Sequence, residues 1–195
     1  MIITYHGDNY FKLQEGDETI LSDPTDQRSF KGAKIAVNTL NPSRIDEVSD
    51  TDEIFIINHG GEYEVEGIRI YGWSSGFGDY DKKEREKTIY RVDFKDFRFA
   101  FFGFLSEEPN AEIISELEDV DIAFIPVGSD DFIAPDKAAK FIRQIEPSLI
   151  IPANFGEIDP FLKEMNQKER KPEERIVLKK TDLKGGEMTV RCLKE

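Results

Sequence analysis

The apolar residues of this chain keep to strand spacing until a little after residue 104 and then alternate between helical and strand spacing, and that change constrains the fold more than any other feature. Before it the spacing is that of strands. Ile2-Ile3-Thr4-Tyr5, Tyr10-Phe11-Lys12-Leu13 and Thr19-Ile20-Leu21 read as short strands, with "EGDE" as a turn and Asp23-Pro24 as a stop. A strand is expected over 34–37, and Ile54-Phe55-Ile56-Ile57 reads as a buried strand. "GEYEVEGIRIYG" is a hairpin bending at Gly67, and "TIYRVDFKDFRFAFFGF" is a second, turning near Lys95-Asp96. After the change, Ile113, Ile114, Leu117 and Val120 recur at helical spacing, as do Ala138, Phe141, Ile142 and Ile145. Pro135 and Pro147 bound the second helix. "DIAFIPVG" and "SLIIPANFG" are buried strands that each end in a loop. "PFLKEMNQKERK" is helix-like, and strands are expected at Ile176–Leu178 and Met188–Cys192. Strands first and strand–helix alternation later, with no repeat or linker, give one domain over residues 1–195, a layered α/β sandwich.

A chain of 195 residues with 38% apolar content and 15 Phe can bury a core of that kind. Its net charge of −14 is spread along the chain. That field repels phosphate backbones and anionic membranes, so neither is an expected partner; its plain meaning is solubility. Cys192 is the only cysteine, which excludes an intramolecular disulfide and a cysteine-rich zinc site. "MIITYHGDNYFKL" enters strand-like alternation directly, and no apolar run approaches the roughly 18 residues of a spanning helix. The expected setting is a reduced cytoplasm.

"IAVNTLNPSRIDEV", residues 35–48, has the order strand, loop, helix in which many enzymes hold ligands, yet it contains no His, Cys, Asp or Glu before Asp46. Asn41-Pro42 is a good helix start, with Asn as cap and Pro at the first helical position.

Taken in order, "IITYHGDNYFKL", "ILSDP", "GEYEVEGIRI", "KTIYRVDF", "FGFL", "DVDIAFIPVG" and "PDKAAKFIRQIEPSLIIP" make the chain resemble the metallo-β-lactamase superfamily, in particular its small lactonase-like bacterial hydrolases, over roughly residues 1 to 155. The resemblance implies a four-layer αββα sandwich with its active site at one edge. It also implies zinc, held by a His-x-His-x-Asp-His loop whose ligands converge at about 2.0–2.2 Å. With Pro42 as the fixed point, that motif falls on Thr39, Asn41, Ser43 and Arg44. The family's His-x-Gly-Asp falls on "FFGF", which places Phe102 and Phe104 at a His and the bridging Asp, and the final His falls on Asn154. The His expected in the loop after the Ile68–Tyr71 strand has no counterpart in "GWSSGFGDYD", where Asp79 is the one marginal candidate. Every ligand position is changed, so no metal cofactor is expected. Phe102 and Phe104 flank Gly103 and are expected to share a face, with the Phe104 ring filling the former metal volume.

Few other residues offer chemistry. His6 beside Asp8 is either a residual proton carrier or metal ligand, or a hydrogen-bonded turn residue. His59 reads as a loop residue. Arg44, Asn41, Asn154 and Ser74/Ser75 form a polar cleft for a small anion, unless Arg44 pairs with a neighbour such as Asp46 or Glu47. Asp23 reads as a strand-ending cap rather than a base. Ser22 and Ser29 lack His–Asp company, so a serine-hydrolase triad is not expected. Glu62, Glu64 and Glu66 alternate as solvent-facing residues do, and Trp73 with Phe77 are either anchors for a partner or lid residues. The leading reading is a non-catalytic binding or scaffold protein whose partner is a small ligand or another protein. The alternative is a hydrolase of small esters, lactones or phosphoesters with an atypical site. A nuclease is opposed by the charge and the missing ligands.

Overall fold

The computed structural model describes residues 1–27, 29–45, 54–153, 156–168 and 171–195. The strands run β1 (Ile2–Tyr5), β2 (Phe11–Glu15), β3 (Glu18–Ser22), β4 (Ile35–Val37), β5 (Leu40–Asn41), β6 (Phe55–Ile57), β7 (Gly61–Val65), β8 (Ile68–Tyr80), β9 (Lys83–Phe94) and β10 (Phe97–Phe101). Then follow helix α1 (Ala111–Glu116), β11 (Ile122–Pro126), α2 (Pro135–Ile145), β12 (Leu149–Ala153), α3 (Asp159–Glu164), β13 (Ile176–Val177) and β14 (Thr189–Val190).

The strands form two sheets. One has the order β13-β1-β2-β3-β4-β6, the other β14-β12-β11-β10-β9-β8-β7, with β5 added against β9. Both are mixed: β3, β4 and β6 run parallel, as do β10, β11, β12 and β14, while the hairpins are antiparallel. Alternation along the strands sends one set of side chains between the sheets. Ile3, Phe11, Leu13, Val92, Phe99, Phe101 and Phe124 meet there, with the Phe101 and Phe124 rings parallel at 4.7 Å. The opposite faces of β9–β12, with Ile89, Ala100, Ala123 and Ile150, pack against Ile113, Phe141, Ile142 and Phe161 of the three helices. The outer face of the six-stranded sheet carries a third cluster, Tyr10, Leu21, Phe30, Ala33 and Ala36. The chain is therefore an α/β sandwich. Among the described residues no helix covers that third cluster. No described helix is long and apolar enough to cross a membrane.

Both expected hairpins form, bending at Glu66-Gly67 and Lys95-Asp96, where Glu66, Gly67 and Lys95 take left-handed backbone conformations. Pro135 opens α2 at its first turn, and Glu146 closes it in the left-handed conformation. Three local expectations need correction. Ile54–Ile57 is not a buried strand: β6 lies at the edge of its sheet and Phe55 is 47% exposed. "GWSSGFGDYD" is not a loop but the outer half of β8, which continues through a bulge between Ser74 and Gly76 to Tyr80. Asn41-Pro42 does not open a helix within the described residues. Asn41 pairs with Glu86 in β5–β9, the Asn41–Pro42 bond is cis, and Pro42–Ile45 are not helical; residues 46–53 lie outside the described residues.

Candidate functional site

The end of β3 sets up the site. Asp23, directly after it, has φ +42° and is 4% exposed, which turns its carboxylate inward to the loop that follows β4. There Thr39 donates its N–H to Asp23 Oδ1 at 2.7 Å and its hydroxyl to Oδ2 at 2.6 Å. Burial pushes the Asp23 carboxyl up to about 7, against the lowering effect of the two Thr39 bonds and of the charge on Arg44. The expected strand-ending role holds, and Asp23 is in addition a buried titrating group.

Five residues after Thr39 the chain presents Arg44. Its guanidinium lies 2.7 Å from Asp8 Oδ2 and 5.5 Å from the centroid of the Tyr80 ring. Burial alone would lower the guanidinium, but Asp8, Tyr80 and Asp23 hold it above its ordinary value. Tyr80, at the tip of β8, stands edge-on to Phe104 at 4.5 Å, and the Phe132 ring lies 6.2 Å from Phe104. Phe104 is 2% exposed. Asp8, Asp23, Thr39, Arg44, Tyr80 and Phe104 thus form one corner, drawn from both sheets.

Gly103 brings Phe104 into it. Its φ is +53°, and a Cβ on it would lie 2.0 Å from Thr39 Oγ1 and 2.2 Å from Thr39 Cβ. The same turn separates the two phenylalanines, so the expected shared face is wrong: Phe102 packs on Phe141 of α2 at 5.0 Å, under the helices, and Phe104 turns to Tyr80.

The remaining candidates fall elsewhere. The Asn41 amide meets the His59 ring at 3.1 Å, with Glu86 3.8 Å from that ring. Ser43 donates to the Ile45 carbonyl, and Arg85, only 5% exposed, donates to the carbonyls of Pro42 and Ser43. His6 packs on Tyr10 at 4.8 Å and lies 3.4 Å from the Thr4 hydroxyl. Asp79 is exposed, sits opposite Glu84 and alternates with Tyr80, so it faces away from the corner. Ser75 donates to the Lys87 carbonyl and Ser74 is exposed, so the anion cleft expected from Arg44, Asn41 and these serines is not assembled by their contacts. Asn154 lies outside the described residues, as do Asp46 and Glu47; Arg44 pairs with Asp8. Arg85 and Tyr80 escape sequence reasoning because nothing in "FGDYDKKEREK" marks either as inward-facing.

Zinc is implied by the resemblance, and the residues at this corner do not fit it. A dication needs several imidazoles or carboxylates with free lone pairs. Here a guanidinium that cannot lose its proton takes up the Asp8 carboxylate, a phenyl ring is buried nearby, and both Asp23 oxygens accept from Thr39. Among the described residues no group of three or more His, Cys, Asp and Glu is placed to hold a metal ion.

Residues 2–154 match the family described as Beta-lactamase superfamily domain. A UPF0173 metal-dependent hydrolase of Geobacillus thermodenitrificans is 23% identical over 215 residues, covering 86% of this chain and 91% of that protein. Another, from Methanopyrus kandleri, is 27% identical over 124 residues, 60% of this chain; the match spans about half of that protein, 54%. A metallo-β-lactamase superfamily protein of Thermotoga maritima superposes with a TM-score of 0.76 at 20% identity, covering 99% of both chains. YhfI of Bacillus subtilis, a metallo-β-lactamase fold protein, gives 0.68 at 8% identity, covering 99% of this chain and 96% of its own. These structures establish the likeness of fold alone, and the matched family covers most of the sequence. The chain belongs to the β-lactamase superfamily, in its metallo-β-lactamase fold.

Proposed function

We propose that this chain is a non-catalytic member of its superfamily, a binding or scaffold protein, working in a reduced cytoplasm. One observation carries the reading: where the family pattern calls for metal ligands, the Arg44–Asp8 pair lies against Tyr80, with Phe104 buried beside it. A fixed positive charge opposes a dication at the same place, and a phenyl ring can neither ligate a metal nor activate water. The hydroxyls of Thr39 and Ser43 are already donated within the chain, to Asp23 and to the Ile45 carbonyl. The single cysteine, Cys192, is buried, in keeping with a reducing compartment. A second reading, hydrolysis of small esters, lactones or phosphoesters at an atypical metal site, is favoured by the names of the relatives, which are metal-dependent hydrolases.

Elemental analysis of the full chain after dialysis against zinc, alongside lactone, ester and phosphodiester assays, separates the two. The first reading expects no stoichiometric metal and no turnover above background. About one or two tightly held ions per chain, or chelator-sensitive turnover that co-elutes with the protein, would overturn it in favour of the second.

A further inference from the structure

On the outer face of the eight-stranded sheet, between the edge strand β7 and helix α1, two adjoining depressions of about 570 and 250 Å³ share Gly72, Trp73 and Glu116. Their floor is aromatic. Tyr71 and Trp73, two apart on β8, point to the same side and lie with ring centroids 6.4 Å apart and planes 15° from parallel. Their rim is acidic. Glu62 faces Tyr71 across the β7–β8 ladder, and Glu112 and Glu116 stand opposite on α1, all three exposed. The cation already present, Arg91, is committed: it lies 4.2 Å over the Tyr71 ring, 3.3 Å from the Asp93 carboxylate, and donates to the Glu116 carbonyl at 2.7 Å. It also shows which group this aromatic surface accepts, a flat guanidinium.

We propose that this trough docks a basic, arginine-bearing segment of a partner polypeptide, with guanidinium groups over Trp73 and paired with Glu62, Glu112 and Glu116. A planar guanidinium stacks on an indole face and forks to a carboxylate, which an ammonium does less well. The net charge of −14 steers such a segment toward the chain. The trough continues from Gly61 past Trp73 to Asn110 and Ser115, longer than one side chain, and so suits a chain segment rather than a free amine. The proposal stands whether or not the Arg44 corner is catalytic.

Trp73 is the only tryptophan, so its emission reports on the trough directly. The full chain is titrated with a blocked tri-arginine peptide, with the uncharged tri-citrulline isostere, and with arginine amide. The peptide is expected to change Trp73 emission saturably, and both controls to bind at least about tenfold more weakly. In a Glu112→Gln/Glu116→Gln double variant, the Arg91 and Ser115 bonds go to backbone carbonyls and survive the change. Peptide binding there should weaken by about tenfold with the thermal midpoint unchanged. Calorimetry on Trp73→Phe should show reduced but measurable binding. No saturable response, equal binding of the citrulline peptide, or full affinity in the double variant would overturn the proposal. Arginine amide binding as tightly as the peptide would instead make the trough a small-amine site, and would overturn the polypeptide partner.

Discussion

Thr39 gives both of its donors to one acceptor, its N–H to Asp23 Oδ1 at 2.7 Å and its hydroxyl to Oδ2 at 2.6 Å. Burial raises the Asp23 carboxyl from an ordinary 3.8 to about 7. Between those values the folded chain holds a proton that the unfolded chain has released. Stability must therefore fall as pH rises through that window, by about 1.4 kcal/mol per unit where the difference is a full proton, and be level outside it. In Asp23→Asn the amide oxygen still accepts the Thr39 N–H and the amide nitrogen donates to the Thr39 hydroxyl, so both contacts survive, one reversed, without a titrating proton. The stability of the wild type minus that of this variant, from urea melts between pH 4 and 8, should decline with pH; a constant or rising difference would refute the assignment.

The charge on Arg44 acts to lower the Asp23 carboxyl, against burial and Asp8. Arg44→Met should move the Asp23 midpoint higher still, read by carbon-13 carboxyl titration. Arg44→Lys should restore the midpoint, because it keeps the charge, but not the flat contact with Tyr80. The direct stability loss should stay at about 1 kcal/mol, since Asp8 is 44% exposed. A midpoint that ignores Arg44 would separate the two groups.

Phe104 fills its corner against Tyr80 and Phe132. Phe104→Ala should cost about 3–5 kcal/mol, as other buried phenylalanine truncations do. Phe104→Asp should cost at least as much, because it buries a carboxylate without a partner, and added zinc should not recover it. Tolerance of Phe104→Asp within about 1 kcal/mol, or stabilisation by zinc, would mean that the corner is still a metal pocket.

Gly103→Ala should destabilise by more than the roughly 1–2 kcal/mol of a left-handed residue alone, because the new Cβ meets Thr39. Thr39→Ala should not rescue it, since the Thr39 Cβ lies 2.2 Å from that position. Thermal melts of the single and double variants decide this.

What the sequence made legible was the work of local rules. Alternation placed the hairpins, Gly67 and Lys95 their bends, and Pro135 the start of α2, because each depends on a few neighbouring residues. The failures came where distant residues decide. "WSSGFG" looks like a loop by composition, yet pairing with β9 along its length keeps it extended. Phe102 and Phe104 would share a face in a continuing strand, but the close approach of Thr39 selects a glycine turn between them. The Arg44–Asp8 pair joins residues 36 positions apart, which no local rule reaches.

The burial of Phe104 beside the Arg44–Asp8 pair also bears on how this chain can drift. A metal stabilises its ligands only as a set, so on the proposed reading the ligands that the family resemblance assigns to 39, 41, 43, 44, 102, 104 and 154 would have to arrive together. Alone, an imidazole at 39 breaks a buried hydrogen bond, a carboxylate at 104 displaces a packed ring, and an imidazole at 44 takes the guanidinium from Asp8. The corner therefore acts as an evolutionary ratchet, with the halfway sequences changed at 39, 44 or 104 less stable than the present one, while the solvent-facing strands remain free to vary.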